Sequence, residues 1–204
     1  MFEFIERPVN DKSLSRRRFV YGVGTNDADY IVQTMIGGKL SVCPFYRTWT
    51  GMLERCYSTK YQKISPTYIG CRVCSEWLIF SNFKKWMRRQ DWQGKQLDKD
   101  ILTQGNKIYS PDLCLFVMQY INGLLNDKGA SRGEYPQGVC FNKVIGKFRA
   151  RCRVNGKSKF IGYYISPEEA SEKYREFKYQ VISDVANKQQ EPLRSALLKY
   201  KIKD

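Results

Sequence analysis

The sequence predicts an α+β protein: a strand–strand–helix element with flanking helices, then a three-stranded antiparallel sheet packed on one helix. Three observations carry that expectation. Apolar residues recur at three- and four-residue steps in the middle of the chain, alternate with cations near its end, and are interrupted there by an Asn-Gly turn signal. The chain has 204 residues, 42% hydrophobic and 14% aromatic, which suits packed cores in two small domains of roughly 100 residues each.

Residues 1–40 are mixed in character. Arg16, Arg17 and Arg18 form a basic run, residues 21–30 are turn-rich, and Val20, Val23, Ile31, Val32 and Met35 suit a hairpin ending at Gly37-Gly38. The segment reads either as a basic arm that clamps nucleic acid or as a solvated surface hairpin. Phe45, Trp49, Met52, Leu53 and Cys56 then follow helical spacing and predict a helix with a buried aromatic face. Residues 59–68 read as a loop and 71–74 as a strand. Ser75 is placed to cap the next helix, where Trp77, Phe80, Phe83, Trp86 and Met87 form a core stripe. Its other face carries Lys84, Lys85, Arg88 and Arg89, available for phosphates or simply solvated.

Residues 97–102 alternate acidic and apolar side chains like a short strand, and Gly105-Asn106 signals a turn. Tyr109-Ser110-Pro111 leads into a second strand at 114–117, followed by a short helix over 119–125. Residues 128–136 are rich in Gly, Ser and charge and read as a linker. Three strands are expected beyond it, at 138–142, 147–154 and 158–164, the last two joined at Asn155-Gly156. Ser166-Pro167-Glu168-Glu169 opens a helix with a cap, a first-turn proline and a capping-box glutamate. Ala170, Tyr174, Phe177 and Val181 are its expected buried stripe, and the tail from Lys188 is charged with a weak helical pattern in Leu193, Leu197 and Leu198. The expected organisation is an arm at 1–40, a central module at 41–127, a linker at 128–136, a sheet-and-helix domain at 137–185 and a basic tail at 186–204.

Charge and composition narrow the function. Thirty-five Lys and Arg against twenty Asp and Glu leave a formal charge of +15, which attracts DNA, RNA or anionic membrane surfaces. No run approaches the roughly 18 apolar residues that span a bilayer. The start, MFEFIERPVNDK, lacks the layout of a signal peptide, so a cytoplasmic protein with no membrane partner is expected. Histidine is absent, which excludes Ser-His-Asp triads, Cys-His nucleophile pairs, His-ligated zinc and a histidine general base. Seven cysteines, an odd number, point to thiols or a metal rather than disulfides. Cys71-x-x-Cys74 has zinc-knuckle spacing, with Cys43, Cys56 and Cys114 available to complete a structural zinc site; buried packing thiols are the alternative. Cys140 and Cys152 are expected to be packing residues.

The most concentrated chemistry lies in the strand at 147–154. Lys147, Arg149, Arg151 and Arg153 alternate with Phe148, Ala150, Cys152 and Val154, so four cations share one face. With Lys157 and Lys159, the window 147–159 holds six basic residues and no acidic one. A twisted sheet of this kind fits the DNA major groove, where arginine reads guanine edges and lysine meets phosphate.

The stretch GVCFNKVIGKFRARCRVNGKSKFIGYYISPEEASEKYREFK resembles the Apetala/ethylene-response-factor type of DNA-binding domain, which also occurs in phage and mobile endonucleases. The shared features are Gly138-Val139, Gly146-Lys147 before Phe148, the Asn-Gly turn, Gly162 and the SPEEA helix start. Cys140 and Phe160 depart from the arginine and tryptophan usual in the plant domains. The resemblance implies DNA contacts by Arg149, Arg151, Arg153 and Lys159, and it does not extend to the plant target sequence.

Residues 43–122 resemble phage proteins described as HNH-type, homing-endonuclease-like enzymes, many of which carry the same C-terminal domain. The resemblance implies a ββα module around one divalent metal, Mg²⁺ or Mn²⁺, in which a histidine activates water. Asp98 matches the aspartate before that histidine, Lys99 stands in the histidine's place, Leu113 falls near the central asparagine position, and Asn122 matches the final metal ligand. This HNH-like module is degenerate. Its candidate catalytic residues are Asp98, Lys99 and Asp100, and its candidate Mg²⁺ ligands are Asp98, Asp100 and Asn122. Lys99 acts as a base only as the neutral amine; a metal-bound hydroxide is a second route, and a module that keeps the fold without the chemistry is a third. The expected protein is therefore a phage double-stranded DNA binder in the host bacterial cytoplasm. It is either a metal-dependent nickase, a non-enzymatic regulator, or an accessory or anti-defence protein that binds a host protein.

Overall fold

The computed structural model describes residues 4–125 and 134–202. The protein is mixed α+β. Of the expected linker at 128–136, residues 128–133 lie outside the described residues. Two compact units are present, one built from Met1–Gln93 with Gly105–Phe116, the other from Gly94–Gln104 with Val117–Asp204.

The first forty residues are not a separate arm. After a short helix α1 (Asp11–Ser15), the Arg17 guanidinium donates to the carbonyls of Asn26, Ala28 and Tyr30 at 2.9, 2.6 and 3.2 Å. Thr25 N donates to Leu78 O, and Phe80 N donates back to Thr25 O, fastening this segment to the unit's core. The hairpin is β1 (Gln33–Ile36) with β2 (Lys39–Val42), and Gly37-Gly38 forms its tip rather than its end. Both glycines have positive φ, as a tight two-residue hairpin turn requires.

Helix α2 (Pro44–Tyr57) buries Trp49, Met52, Leu53 and Cys56, as their spacing predicts. Residues 59–68 are not a loop. Helix α3 (Thr59–Ile64), capped by the Ser58 side chain on Tyr61 N, runs into a 3₁₀ turn at Pro66–Tyr68. Strand β3 (Arg72–Val73) and a 3₁₀ turn (Ser75–Leu78) precede α4 (Phe80–Met87). Ser75 therefore does not cap α4; Asp27 Oδ1 instead accepts from Ser81 N at 2.9 Å. Trp77, Phe80, Phe83 and Met87 are fully buried, with Trp77 and Phe83 edge-to-face at 5.0 Å.

Strand β4 (Lys95–Asp98) is followed by turns, β5 (Ile108–Tyr109), β6 (Leu115–Met118) and helix α5 (Gln119–Leu125). Tyr109 does not lead into the second strand of this element: β5 pairs parallel with β3, while β4 pairs with β6. Both β4 and α5 group with the C-terminal sheet, so the compact units cut across the expected boundaries 41–127 and 137–185.

That sheet is β7 (Val139–Asn142), β8 (Lys147–Val154) and β9 (Lys157–Tyr164), antiparallel in the order β7-β8-β9. Asn155 and Gly156, both at positive φ, make the turn that joins β8 to β9. Helix α6 (Pro167–Ala186) starts on Ser166 Oγ accepting from Glu169 N at 3.1 Å, while Glu169 Oε2 reaches back to Ile165 N at 3.3 Å. Ala170 and Tyr174 pack on Ala150 and Cys152, with Phe148, Val154, Ile161 and Phe177 around them. Gly138, at φ +79°, lies so close under the Tyr174 ring that no side chain fits there. The buried row of α6 steps by four, through Ala170, Tyr174, Lys178, Ile182 and Ala186, which replaces the expected Val181. Lys178 is buried by donating to Gln137 Oε1 at 3.1 Å and lying 5.5 Å from the Tyr174 ring centre. The tail is folded too: α7 (Leu193–Leu198) buries Leu197, and Ile202 N donates to Tyr179 Oη at 3.3 Å. No helix among the described residues is long and apolar enough to cross a membrane.

Candidate nucleic-acid interface

Period-two geometry sends alternate side chains of β8 to opposite faces. Phe148, Ala150, Cys152 and Val154 join the α6 core, and Lys147, Arg149, Arg151 and Arg153 take the other side. Lys147, Arg151 and Arg153 are exposed. Arg149 is half-buried: its Nη2 donates to Cys140 Sγ at 3.4 Å, and its Nε is shielded from solvent with no hydrogen-bond partner. The contacts with Cys140 first, and Tyr163 after it, favour the charged guanidinium. Arg153 Nε donates to Gly156 O at 3.0 Å, bracing the side chain against the β8–β9 turn.

Cross-strand partners share a face. Arg149 stands opposite Tyr163, Arg151 opposite Phe160 and Arg153 opposite Ser158. The sheet face thus holds two aromatic rings beside the arginines, Phe160 at 56% exposure and Tyr163 at 37%. Their ring centres are 5.0 Å apart, and Asn142 Nδ2 donates to Tyr163 Oη at 3.2 Å. Regular alternation from the Asn155-Gly156 turn already sets Phe160 opposite Arg151, whereas Tyr163, three residues further on, would face the other way in an ideal strand. A β-bulge between Ala150 and Arg151 inserts Ile161 into β9 and brings them into phase.

The same register moves two expected DNA contacts. Lys157 pairs with Val154 and Lys159 with Cys152, so both exposed lysines hold register positions of the helix-covered face, not of the arginine face. Arg149, Arg151, Arg153 and Lys147 are brought together; Lys157 and Lys159 are not part of that column.

The candidate nuclease residues lie at the end of β4. Asp98 is buried, and its Oδ1 accepts from Asp100 N at 2.9 Å and Ile101 N at 2.8 Å, closing the turn that ends the strand. Burial, then the neighbouring Asp100 carboxylate, pushes its carboxyl up to about 6. Lys99, also buried, donates to Asp100 Oδ2 at 3.0 Å. That ion pair is a contact of the ammonium, whereas a general base needs the neutral amine. Asn122 Nδ2 donates to Gln96 Oε1 at 3.2 Å. A Mg²⁺ site needs several oxygens converging with octahedral geometry. Here Asp98 Oδ1 serves two backbone amides and Asp100 Oδ2 accepts from Lys99, contacts that hold the turn together and show no oxygens converging on a metal.

Nor are the cysteines gathered. Cys71 and Cys74 flank the extended pair Arg72–Val73, and residues three apart in a strand lie roughly 10 Å apart on opposite faces, where a zinc knuckle needs a tight turn. Cys43 Sγ is 3.4 Å from Tyr30 Oη, Cys71 Sγ is 3.9 Å from Thr67 O, and Cys56 and Cys114 are buried. Burial pushes the Cys74 thiol up. Among the described residues no three His, Cys, Asp or Glu side chains group to hold a metal. Compared with known proteins, the chain matches no family model, no curated protein and no solved structure.

Proposed function

We propose that this protein binds double-stranded DNA through the open face of β7, β8 and β9. The observation that supports the reading most is the column Lys147, Arg149, Arg151 and Arg153, aligned on one face with Phe160 and Tyr163 while α6 covers the other. Guanidinium groups bind phosphate oxygens or the O6 and N7 of guanine as planar forks, and aromatic rings meet thymine methyls and sugars by apolar contact. The β8–β9 hairpin supplies the platform, and the bulge in β9 puts Tyr163 on the same face as Phe160 and the arginines. In this reading Arg151 and Arg153, exposed on the central strand, contact bases or phosphates directly. Arg149 is held in the column by its Nη2 contact with Cys140, its Nε being shielded from solvent.

The proposal stops at binding. The contacts of the Asp98–Lys99–Asp100 turn support a structural role for it, and the resemblance to HNH enzymes contributes the expectation of a DNA partner. A mobility-shift assay with duplex DNA tests the reading: the wild type shifts the duplex, and R149A/R151A/R153A binds at least tenfold more weakly. Equal binding by the two proteins overturns it.

A further inference from the structure

The unit that contains α4 has a charged groove of its own. It is an open cavity of about 600 Å³ along α4, with Lys85, Arg88 and Arg89 on one wall and Tyr30 and Phe80 contributing to its lining. Lys84 is already committed: its ammonium pairs with Glu6 at 2.6 Å and sits 4.1 Å above the Tyr30 ring centre. Asp27 is committed too, as the acceptor for Ser81 N at 2.9 Å. Asp29 is the remaining acid of the lining, and it is exposed.

Lys85, Arg88 and Arg89 stand differently. They are exposed, and none of them pairs with a carboxylate among the described residues. Arg88 is the C-cap of α4 and Arg89 follows it, and both line the groove together with Lys85, where like charges repel one another. Cations near a helix C-terminus complement its dipole, which explains their sign but not an uncompensated trio lining one groove. We infer, resting on the proposed DNA binding by the sheet, that this groove is a second DNA contact, one that holds the phosphodiester backbone and reads no bases. Guanidinium groups side by side match successive phosphate oxygens, while Lys84, neutralised by Glu6, adds no net charge to the trio. Backbone contacts of this kind position a protein on a duplex and carry no sequence information.

The test uses the full chain, a duplex of about 30 base pairs and a salt series read by fluorescence anisotropy. Each phosphate contact adds roughly 0.9 to the slope of log K against log salt. K85A/R88A/R89A is expected to flatten that slope by about two to three and to bind about tenfold or more weakly at 0.15 M salt, with the ranking of DNA sequences unchanged. R88K/R89K, which keeps the charge, restores most of the slope. R88Q/R89Q, which keeps side-chain length, serves as a second neutral variant, with an unchanged melting temperature as its folding control. A slope and affinity equal to the wild type overturn the groove, as does a loss confined to acidic polypeptides such as polyglutamate. A wild type that fails to bind duplex overturns both sites. Binding that survives R149A/R151A/R153A but is lost in the groove variant overturns the sheet alone and supports the groove.

Discussion

The rings of Phe160 and Tyr163 meet at 5.0 Å on the sheet face that carries Arg149 and Arg151. Three residues apart on one strand, they share a face only because the bulge in β9 shifts the alternation by one residue. Exposed aromatic pairs have a cost in water, and here the pair stands opposite the half-buried Arg149 and the exposed Arg151.

Phe160→Ala is expected to weaken DNA binding about fivefold, since burying a few tens of Å² of ring contributes about 1 kcal/mol. The salt slope is expected to stay unchanged, because no charge is removed. Anisotropy titrations of F160A and wild type check this. A changed slope would mean that the ring acts through the arginines rather than by its own contact.

Gly138→Ala is expected to destabilise the C-terminal sheet by about 2–4 kcal/mol. At φ +79° the added Cβ is strained, and it would meet the Tyr174 ring and, at 2.7 Å, Arg151 O. Urea unfolding checks it: the midpoint falls in G138A, and a midpoint equal to wild type would show that Tyr174 is free to move aside.

Asp98 sets a pH dependence of known sign. Its carboxyl lies at about 6 in the fold against an ordinary 3.8, so the folded chain holds more protons than the unfolded one between those values. Stability from this group is full below about pH 4 and is lost as pH rises through about 6. Asp98→Asn keeps an Oδ1 acceptor for Asp100 N and Ile101 N while removing the buried charge. It is expected to raise stability by on the order of 1–3 kcal/mol above pH 6.5, with the gain disappearing near pH 4. Thermal melts from pH 4 to 8 check this, and a gain independent of pH would contradict it.

Incubation with supercoiled DNA and Mg²⁺ or Mn²⁺ is expected to leave the DNA uncut, because Asp98 and Asp100 are held by backbone amides and Lys99. Gel electrophoresis after long incubation checks it. Nicking that disappears in D98A and in D100A would restore the catalytic reading of this turn.

What the sequence made legible was local. The aromatic row of α2, the stripe of Trp77, Phe80, Phe83 and Met87, the Asn155-Gly156 turn and the Ser166 cap all follow from spacing within a few residues. The strand expected at 97–102 is only partly matched, since β4 is Lys95–Asp98, while β6 (Leu115–Met118) and α5 (Gln119–Leu125) fall near the expected 114–117 and 119–125. Hidden features depend on distant partners. The parallel pairing of Val73 with Tyr109 joins residues far apart in sequence. Lys178 looks solvated until Gln137 and Tyr174 enclose it. In the candidate site, the arginine column was readable because β8 is regular, whereas Tyr163 was not, because the residue inserted between it and Phe160 reverses its parity. The same register separates Lys157 and Lys159 from the arginines.

DNA binding by the arginine face is tested most directly by the salt dependence of duplex affinity for wild type and R149A/R151A/R153A. The expected result is a log–log slope shallower by about three in the variant, with affinity reduced at least tenfold at 0.15 M salt and the fold intact by circular dichroism. Equal slopes and equal affinities in two folded proteins would contradict it.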